Sequence, residues 1–162
     1  MMKPLKLVTS TLTLMLLCTG ASAAGAPRAQ AGFGHAYAHR TCAPWDGAAI
    51  ALTLQTDAFP AVAKGKLPPD HYPQIAVTLF TSRPPTGRWL EFGEASSIEG
   101  GGSIRECPAQ GQCRIRVGRI RLTKVTSDRL EGELRIQVPG NKGQEFVYPF
   151  SAPNLPYTEF CG

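Results

Sequence analysis

The sequence lacks the residue patterns on which many small hydrolases and metalloproteins depend. No serine stands in a Gly-x-Ser-x-Gly turn, and no Asp-x-Asp run could hold calcium. From residue 42 onward there is a single histidine, His71, so a Ser-His-Asp site would have to use it. These absences favour a non-enzymatic protein that holds no metal and no cofactor.

Loop carboxylates offer the remaining route to catalysis. Glycoside hydrolysis uses two acidic side chains that flank the scissile bond, and Glu91, Glu94 and Glu99 could supply them. Because any acidic loop offers such a pair, a small envelope hydrolase that uses these carboxylates is the alternative function. Trp45 and Trp89 could stack on sugar rings, although tryptophan in a small β-domain more commonly packs in or near the core.

The excess of positive charge lies mostly near the beginning of the chain. The net charge is +5, from 17 basic and 12 acidic residues. Lys3, Lys6, Arg28 and Arg40 all precede residue 42 and no acid does, which leaves 13 basic and 12 acidic residues from there on. With charges so nearly balanced and no recognition motif, a nucleic-acid partner is not expected.

Residues 1–23 have the organisation of a secretory signal peptide. Lys3 and Lys6 precede the apolar stretch 7–17 and form a positive n-region, and Ala21-Ser22-Ala23 fits the small-x-small cleavage pattern. At about 1.5 Å per residue this stretch is too short to cross roughly 30 Å of hydrocarbon, so no membrane span is expected in the mature form. Sec-type cleavage near Ala23 would place the protein in the periplasm or outside the cell.

Residues 24–41 are predicted to form a flexible tail, because they are rich in alanine and glycine and show no sustained period. His35 and His39 have a spacing that could bind a metal on a helix, but Gly32 and Gly34 disfavour a helix, so no metal site is assigned. Residues 42–162 are the size of one domain. Frequent proline and glycine predict a small antiparallel β-sandwich or barrel-like domain.

Alternating apolar and polar residues predict strands along this domain. We expect strands at residues 48–56, 75–79, 89–92 and 113–117, and further strands on both sides of turns at 126–128 and 139–143. The proline-rich residues 58–73 and the glycine-rich residues 96–103 are expected to form loops.

The alternation changes phase between Cys113 and Leu122. Apolar residues are at odd positions before Gly118 and at even positions after it. A continuous strand would turn one pair of arginines inward, and burial of unpaired guanidinium groups is costly. We therefore predict a β-bulge at Val117-Gly118 that returns four arginines to one face. The four are Arg114, Arg116, Arg119 and Arg121.

The two turns predict the register of two hairpins. Centring the second turn on Asn141 matches the inward faces of both strands and covers a bare glycine with an aromatic ring. The pairs are Ile136 with Phe146, Leu134 with Tyr148 and Gly132 with Phe150. Centring the first turn on Ser127 gives three further pairs. These are Arg121 with Glu133, Thr123 with Glu131 and Arg119 with Arg135.

Four cysteines follow the predicted cleavage site, an even number that indicates disulfides in an oxidising compartment. Cys42 opens the domain and Cys161 nearly closes it, so their pairing would join its ends. Cys107 and Cys113 flank five residues that can form a small closed loop. We therefore predict the pairs Cys42–Cys161 and Cys107–Cys113.

The arginines carry the functional prediction. Arg119 and Arg135 are like charges side by side, and the register assigns no acid to Arg114 or Arg116. Glu91, Glu94 or Glu99 could neutralise them from another strand or loop. Otherwise they form an anion-binding face, since guanidinium groups suit carboxylate and phosphate. The sequence thus predicts an exported binding or inhibitor module for an acidic protein or an anionic envelope polymer.

Overall fold

The computed structural model describes residues 28–29, 32–44, 47–61, 63, 65–93, 101–158 and 161. All regular structure among them is β-strand, so the all-β prediction is confirmed. The predicted signal peptide, Trp45, Glu94 and Glu99 lie outside the described residues. The strands are β1 (Arg28–Ala29), β2 (His35–Cys42), β3 (Ala48–Gln55), β4 (Gln74–Leu79), β5 (Trp89–Phe92), β6 (Gly102–Cys107), β7 (Arg114–Arg116), β8 (Gly118–Val125), β9 (Arg129–Val138) and β10 (Asn141–Thr158).

One sheet curls into a nearly closed barrel. Its neighbours run β5-β8-β9-β10-β2-β3-β4-β6-β7, and β1 pairs with β10 outside this order. Only Val117 separates β7, at one end of the order, from β8, near the other end. The Val117 carbonyl accepts a hydrogen bond from the Gln137 amide at 2.9 Å, which helps to close the barrel. Pairing is antiparallel except between β10 and β2 and between β1 and β10.

The barrel interior is filled by alternate side chains of the strands, as the period of a half-buried strand requires. Five of them that are fully shielded from solvent come from five different strands. They are Leu52, Ile75, Ile104, Leu122 and Leu134. Since these residues form one continuous core, the positions between them point outward and are free to carry charge.

The register predicted for the β9–β10 hairpin is confirmed at all three pairs, namely Ile136 with Phe146, Leu134 with Tyr148 and Gly132 with Phe150. A Cβ added to Gly132 would lie 3.0 Å from the Phe150 ring, so that ring covers the glycine. In the β8–β9 hairpin the two arginine pairs are confirmed, but the third pair is wrong. A register shift between Leu122 and Lys124 places Lys124, rather than Thr123, opposite Glu131.

The prediction of a flexible tail over residues 24–41 is wrong for residues 35–41. These residues belong to β2, which lies between β10 and β3. Ala36 and Ala38 face the core, while Tyr37 points outward and is covered by Phe59, whose ring centre lies 5.2 Å away. Alanine is a weak strand former, so the pattern did not indicate the strand, and burial between two neighbours overrides that preference.

The predicted glycine-rich loop at 96–103 ends in a strand that the sequence did not indicate. Residues 94–100 are outside the described part of the chain, and β6 begins at Gly102 and pairs with β4 and β7. A side chain at Gly102 would collide with the Thr78 carbonyl and the Phe92 ring, so the strand needs glycine there.

Both predicted disulfides are confirmed. The Cα atoms of Cys42 and Cys161 lie 5.5 Å apart, and those of Cys107 and Cys113 lie 4.1 Å apart. The first bond connects the end of β2 with the residues that follow β10. The second closes a small loop between β6 and β7. Two such bonds indicate an oxidising, extracytoplasmic compartment.

Candidate functional site

The arginines around Val117 lie on two sides of the barrel wall, so the predicted bulge at Val117-Gly118 is wrong. Arg116 pairs with Ile104, and a Cβ on Gly118 would lie 3.0 Å from the Ile104 side chain in the core. Even-numbered residues therefore face inward through β7 and β8. Arg114 and Arg116 have the inward parity, while Arg119 and Arg121 point outward, and Ile115, predicted to be inward, is 55% exposed.

The inward direction of Arg116 is stabilised by a carboxylate from β6. Arg116 Nη1 lies 3.1 Å from Glu106 Oε2, and Arg116 Nη2 donates a hydrogen bond to the Gln137 carbonyl at 2.8 Å. The Arg116 side chain is only 13% exposed. The cost of burying a guanidinium, which motivated the predicted bulge, is thus offset by a paired acid and a carbonyl.

Tyr148 lies beside this ion pair and makes the stability of the fold decrease at high pH. Burial is the main cause that raises the pKa of Tyr148 to about 12; the charge of Glu106 raises it further and Arg116 opposes this. The unfolded tyrosine titrates near pH 10, so the stabilisation is complete below that pH and is lost as the pH rises towards 12. We expect the free energy of unfolding to fall by on the order of 2 kcal/mol across this window.

Urea unfolding of the parent and Tyr148→Phe between pH 8 and pH 12 measures this contribution. Burial also raises the pKa of Tyr37, so the quantity to compare is the difference between the two slopes. A decrease of equal steepness in Tyr148→Phe would contradict the assignment to Tyr148.

On the outer face, three arginines surround one tryptophan; we call this group the Trp89 cluster. The guanidinium carbons of Arg119, Arg121 and Arg135 lie 4.8, 4.8 and 4.9 Å from the centre of the Trp89 ring. Strand pairing places them there, because Trp89 in β5 is opposite Arg121 in β8, and Arg119 is opposite Arg135 in β9. The tryptophan ring therefore makes cation–π contacts with three arginines, each contributing about 0.5–1 kcal/mol.

Glutamates neutralise two of these arginines. Glu145 Oε2 lies 2.9 Å from Arg119 Nη2 and 3.6 Å from Arg135 Nη1, so one carboxylate bridges the two like charges. Arg135 Nε also donates to Glu133 Oε1 at 2.6 Å, and this bond is the main cause that raises the pKa of Arg135. Glu91, one of the acids expected to neutralise the arginines, lies 3.9 Å from Arg119. Three carboxylates thus lie among the three arginines of the Trp89 cluster, and within the described residues Arg121 is the one arginine of the three without an ion pair.

A different surface has unbalanced positive charge. Between β7 and the β9–β10 turn lies a groove of about 640 Å³, which we call the β7 groove. Its basic residues are Arg114, Arg116 and Lys142, and its apolar residues include Ile115 and Val138. No acidic residue lines it, and within the described part of the chain neither Arg114 nor Lys142 has an ion-pair partner. Sequence reasoning did not find Lys142, because it stands in a turn.

Of the acids considered for hydrolysis, only Glu91 lies within the described residues. Glu91 contacts Arg119 on the outer face. His71 Nδ1 lies 3.2 Å from Asp57 Oδ2, and both side chains are about half exposed or more, so this pair contributes little to stability. Within the described residues, no group of three His, Cys, Asp or Glu side chains has the proximity needed for a metal site.

The described residues include no helix that is long and apolar enough to cross a membrane. Comparisons of the chain with protein-family models, with curated proteins and with solved structures found no match.

Proposed function

We propose that this protein is an exported, non-enzymatic binding module that captures an acidic segment of another protein in the β7 groove. The observation that carries the proposal is that Arg114 and Lys142, which have no ion-pair partner within the described residues, line the same groove as an exposed apolar residue, Ile115. The remaining predicted arginines have structural partners, since Arg116 pairs with Glu106, and Arg119 and Arg135 pair with Glu145.

The chemistry of the groove favours a polypeptide over a purely anionic polymer. A guanidinium and an ammonium both bind carboxylates, and the guanidinium does so with two parallel hydrogen bonds. Ile115 and Val138 add apolar area that a charged polysaccharide or polyphosphate would not cover. An acidic segment that also carries apolar side chains can satisfy both kinds of contact, and the charge supplies attraction at long range.

The predicted location agrees with this role. The predicted signal peptide over residues 1–23 would deliver the chain to the periplasm or the cell exterior after cleavage near Ala23. There the two disulfides persist, because thiols are not kept reduced outside the cytoplasm. An extracytoplasmic partner or an anionic surface is then within reach of the groove.

Binding of a labelled peptide of alternating glutamate and leucine, followed by fluorescence anisotropy, tests the proposal. The variant Arg114→Glu with Lys142→Glu is expected to bind at least about tenfold more weakly, and its unfolding midpoint should hardly change because both side chains are exposed. Ile115→Ser should weaken binding by about threefold.

The matched control is Lys66→Glu with Arg88→Glu, which changes the net charge equally at two exposed positions outside the groove. Equal losses in both double variants would show that only net charge attracts the peptide, and the proposal would fail. Dextran sulfate is the second probe. If it binds more tightly than the peptide and is insensitive to Ile115→Ser, the occupant is a polymer and the polypeptide proposal is wrong.

A further inference from the structure

A second cavity, of about 420 Å³, lies on the outer face of β2, β3, β4 and β6, on the side of the barrel wall opposite the core. Residues Leu67, Pro68 and Asp70 of the segment between β3 and β4 contribute to its lining, so we call it the loop cavity. Tyr37, at one side, is almost fully buried although it points away from the core. The segment therefore encloses space above the sheet.

Strand pairing builds the base of the loop cavity in rows. Tyr37, Thr53, Ala76 and Arg105 stand opposite one another across the four strands, each between residues that face the core. The neighbouring row brings Ala51 and Thr78 together. Because Ala51 and Ala76 are small, the middle of the cavity base carries little side-chain bulk, whereas the larger Tyr37 and Arg105 stand at its two sides.

The two sides of the loop cavity carry opposite charges. Arg105 is exposed and stands three strands from Tyr37, a distance of about 14 Å between backbones at roughly 4.8 Å per strand. Asp70 lines the same cavity as Tyr37, and its charge is one of the causes, after burial, that raise the pKa of that tyrosine. Within the described residues neither Arg105 nor Asp70 has an ion-pair partner, and both line the cavity.

We infer that the loop cavity binds a small zwitterion of dipeptide size, with its carboxylate on Arg105 and its ammonium group on Asp70. A simple anion would also face Asp70, and a simple cation would also face Arg105, so a ligand with both charges is the best match. In an extended dipeptide the charged ends are about 7 Å apart, whereas those of a single amino acid are too close to reach both sides. Thr78, in the neighbouring row, also lines the cavity.

Calorimetry with Ala-Ala, N-acetyl-Ala-Ala, Ala-Ala-amide and free alanine tests the inference on the full mature chain. Ala-Ala is expected to bind, and each capped peptide and alanine to bind at least about tenfold more weakly. Each of two variants should abolish the preference for one free end of the peptide. Arg105→Met should bind Ala-Ala and its amide equally, and Asp70→Asn should bind Ala-Ala and its acetyl derivative equally.

Two controls separate this site from general effects. Arg88→Met removes an exposed arginine that is not in the cavity and should bind Ala-Ala like the parent, as should the double variant in the β7 groove. No binding of Ala-Ala at about 10 mM would overturn the inference. So would equal binding of the capped peptides by the parent, or preferences that persist in Arg105→Met and Asp70→Asn.

Discussion

Replacement of Cys42 and Cys161 by serine is expected to lower the free energy of unfolding by about 4–5 kcal/mol. The two cysteines are 119 residues apart, so their bond closes a loop that contains nearly the whole domain and removes much of the entropy of the unfolded chain. Cys107 and Cys113 are only 6 residues apart. Their replacement should cost about 2 kcal/mol on the same reasoning.

The long crosslink also lies where strand pairing is irregular. β10 is antiparallel to β9 up to Pro153 and then runs parallel to β2, with a register shift between Asn154 and Thr158. Cys42 ends β2, and Cys161 follows β10 closely. The bond therefore holds together the two strands whose register is least regular, and its loss should affect that part of the barrel first.

Urea unfolding of the two paired serine variants, with the parent as reference, measures both costs. Hydrogen exchange should report faster opening in β2 and in the last residues of β10 when the long crosslink is absent. The account would be contradicted if loss of the Cys42–Cys161 bond lowered the free energy of unfolding less than loss of the Cys107–Cys113 bond. It would also be contradicted if hydrogen exchange increased first in β9.

Local patterns predicted those features of the fold that depend on nearby residues. The β9–β10 register followed from one turn and one alternating face, because a slip by one residue would expose Phe146 and Phe150. The disulfide pairing followed from the positions of four cysteines. Neither required knowledge of how distant strands are arranged.

The features that the sequence did not reveal depend on distant partners. Glu106 neutralises Arg116 from β6, a strand that the glycine-rich stretch concealed. Glu145 lies opposite Gln137 of β9 and bridges Arg119 of β8 and Arg135 of β9, a contact among three strands that the register of one hairpin does not fix. The rows that form the loop cavity require β2, most of which lies within the stretch predicted to be a tail. Alternation was sufficient to place Arg119 and Arg135 side by side, but it did not reveal their acid partners or the inward parity of Arg114 and Arg116.

Arg116→Met is expected to lower the free energy of unfolding by about 3 kcal/mol. The substitution keeps much of the apolar stem but leaves Glu106 without its cation beside the buried Tyr148. Loss of one member of a buried ion pair typically costs about 3–5 kcal/mol, and the 35% exposure of the Glu106 side chain places this case near the lower limit. Arg114→Met, two residues away on an exposed side chain, should change stability by no more than about 0.5 kcal/mol.

A double-mutant cycle with Glu106→Gln separates the ion pair from the packing of the Arg116 stem. If the pair is responsible, Arg116→Met with Glu106→Gln should be more stable than Arg116→Met alone, because the unpaired buried charge is removed. Equal destabilisation by Arg114→Met and Arg116→Met in urea at pH 7 would instead place both arginines in solvent. The predicted difference also decides how binding is tested, because a charge reversal at the buried Arg116 would place a second carboxylate beside Glu106, whereas Arg114 is exposed and lines the groove.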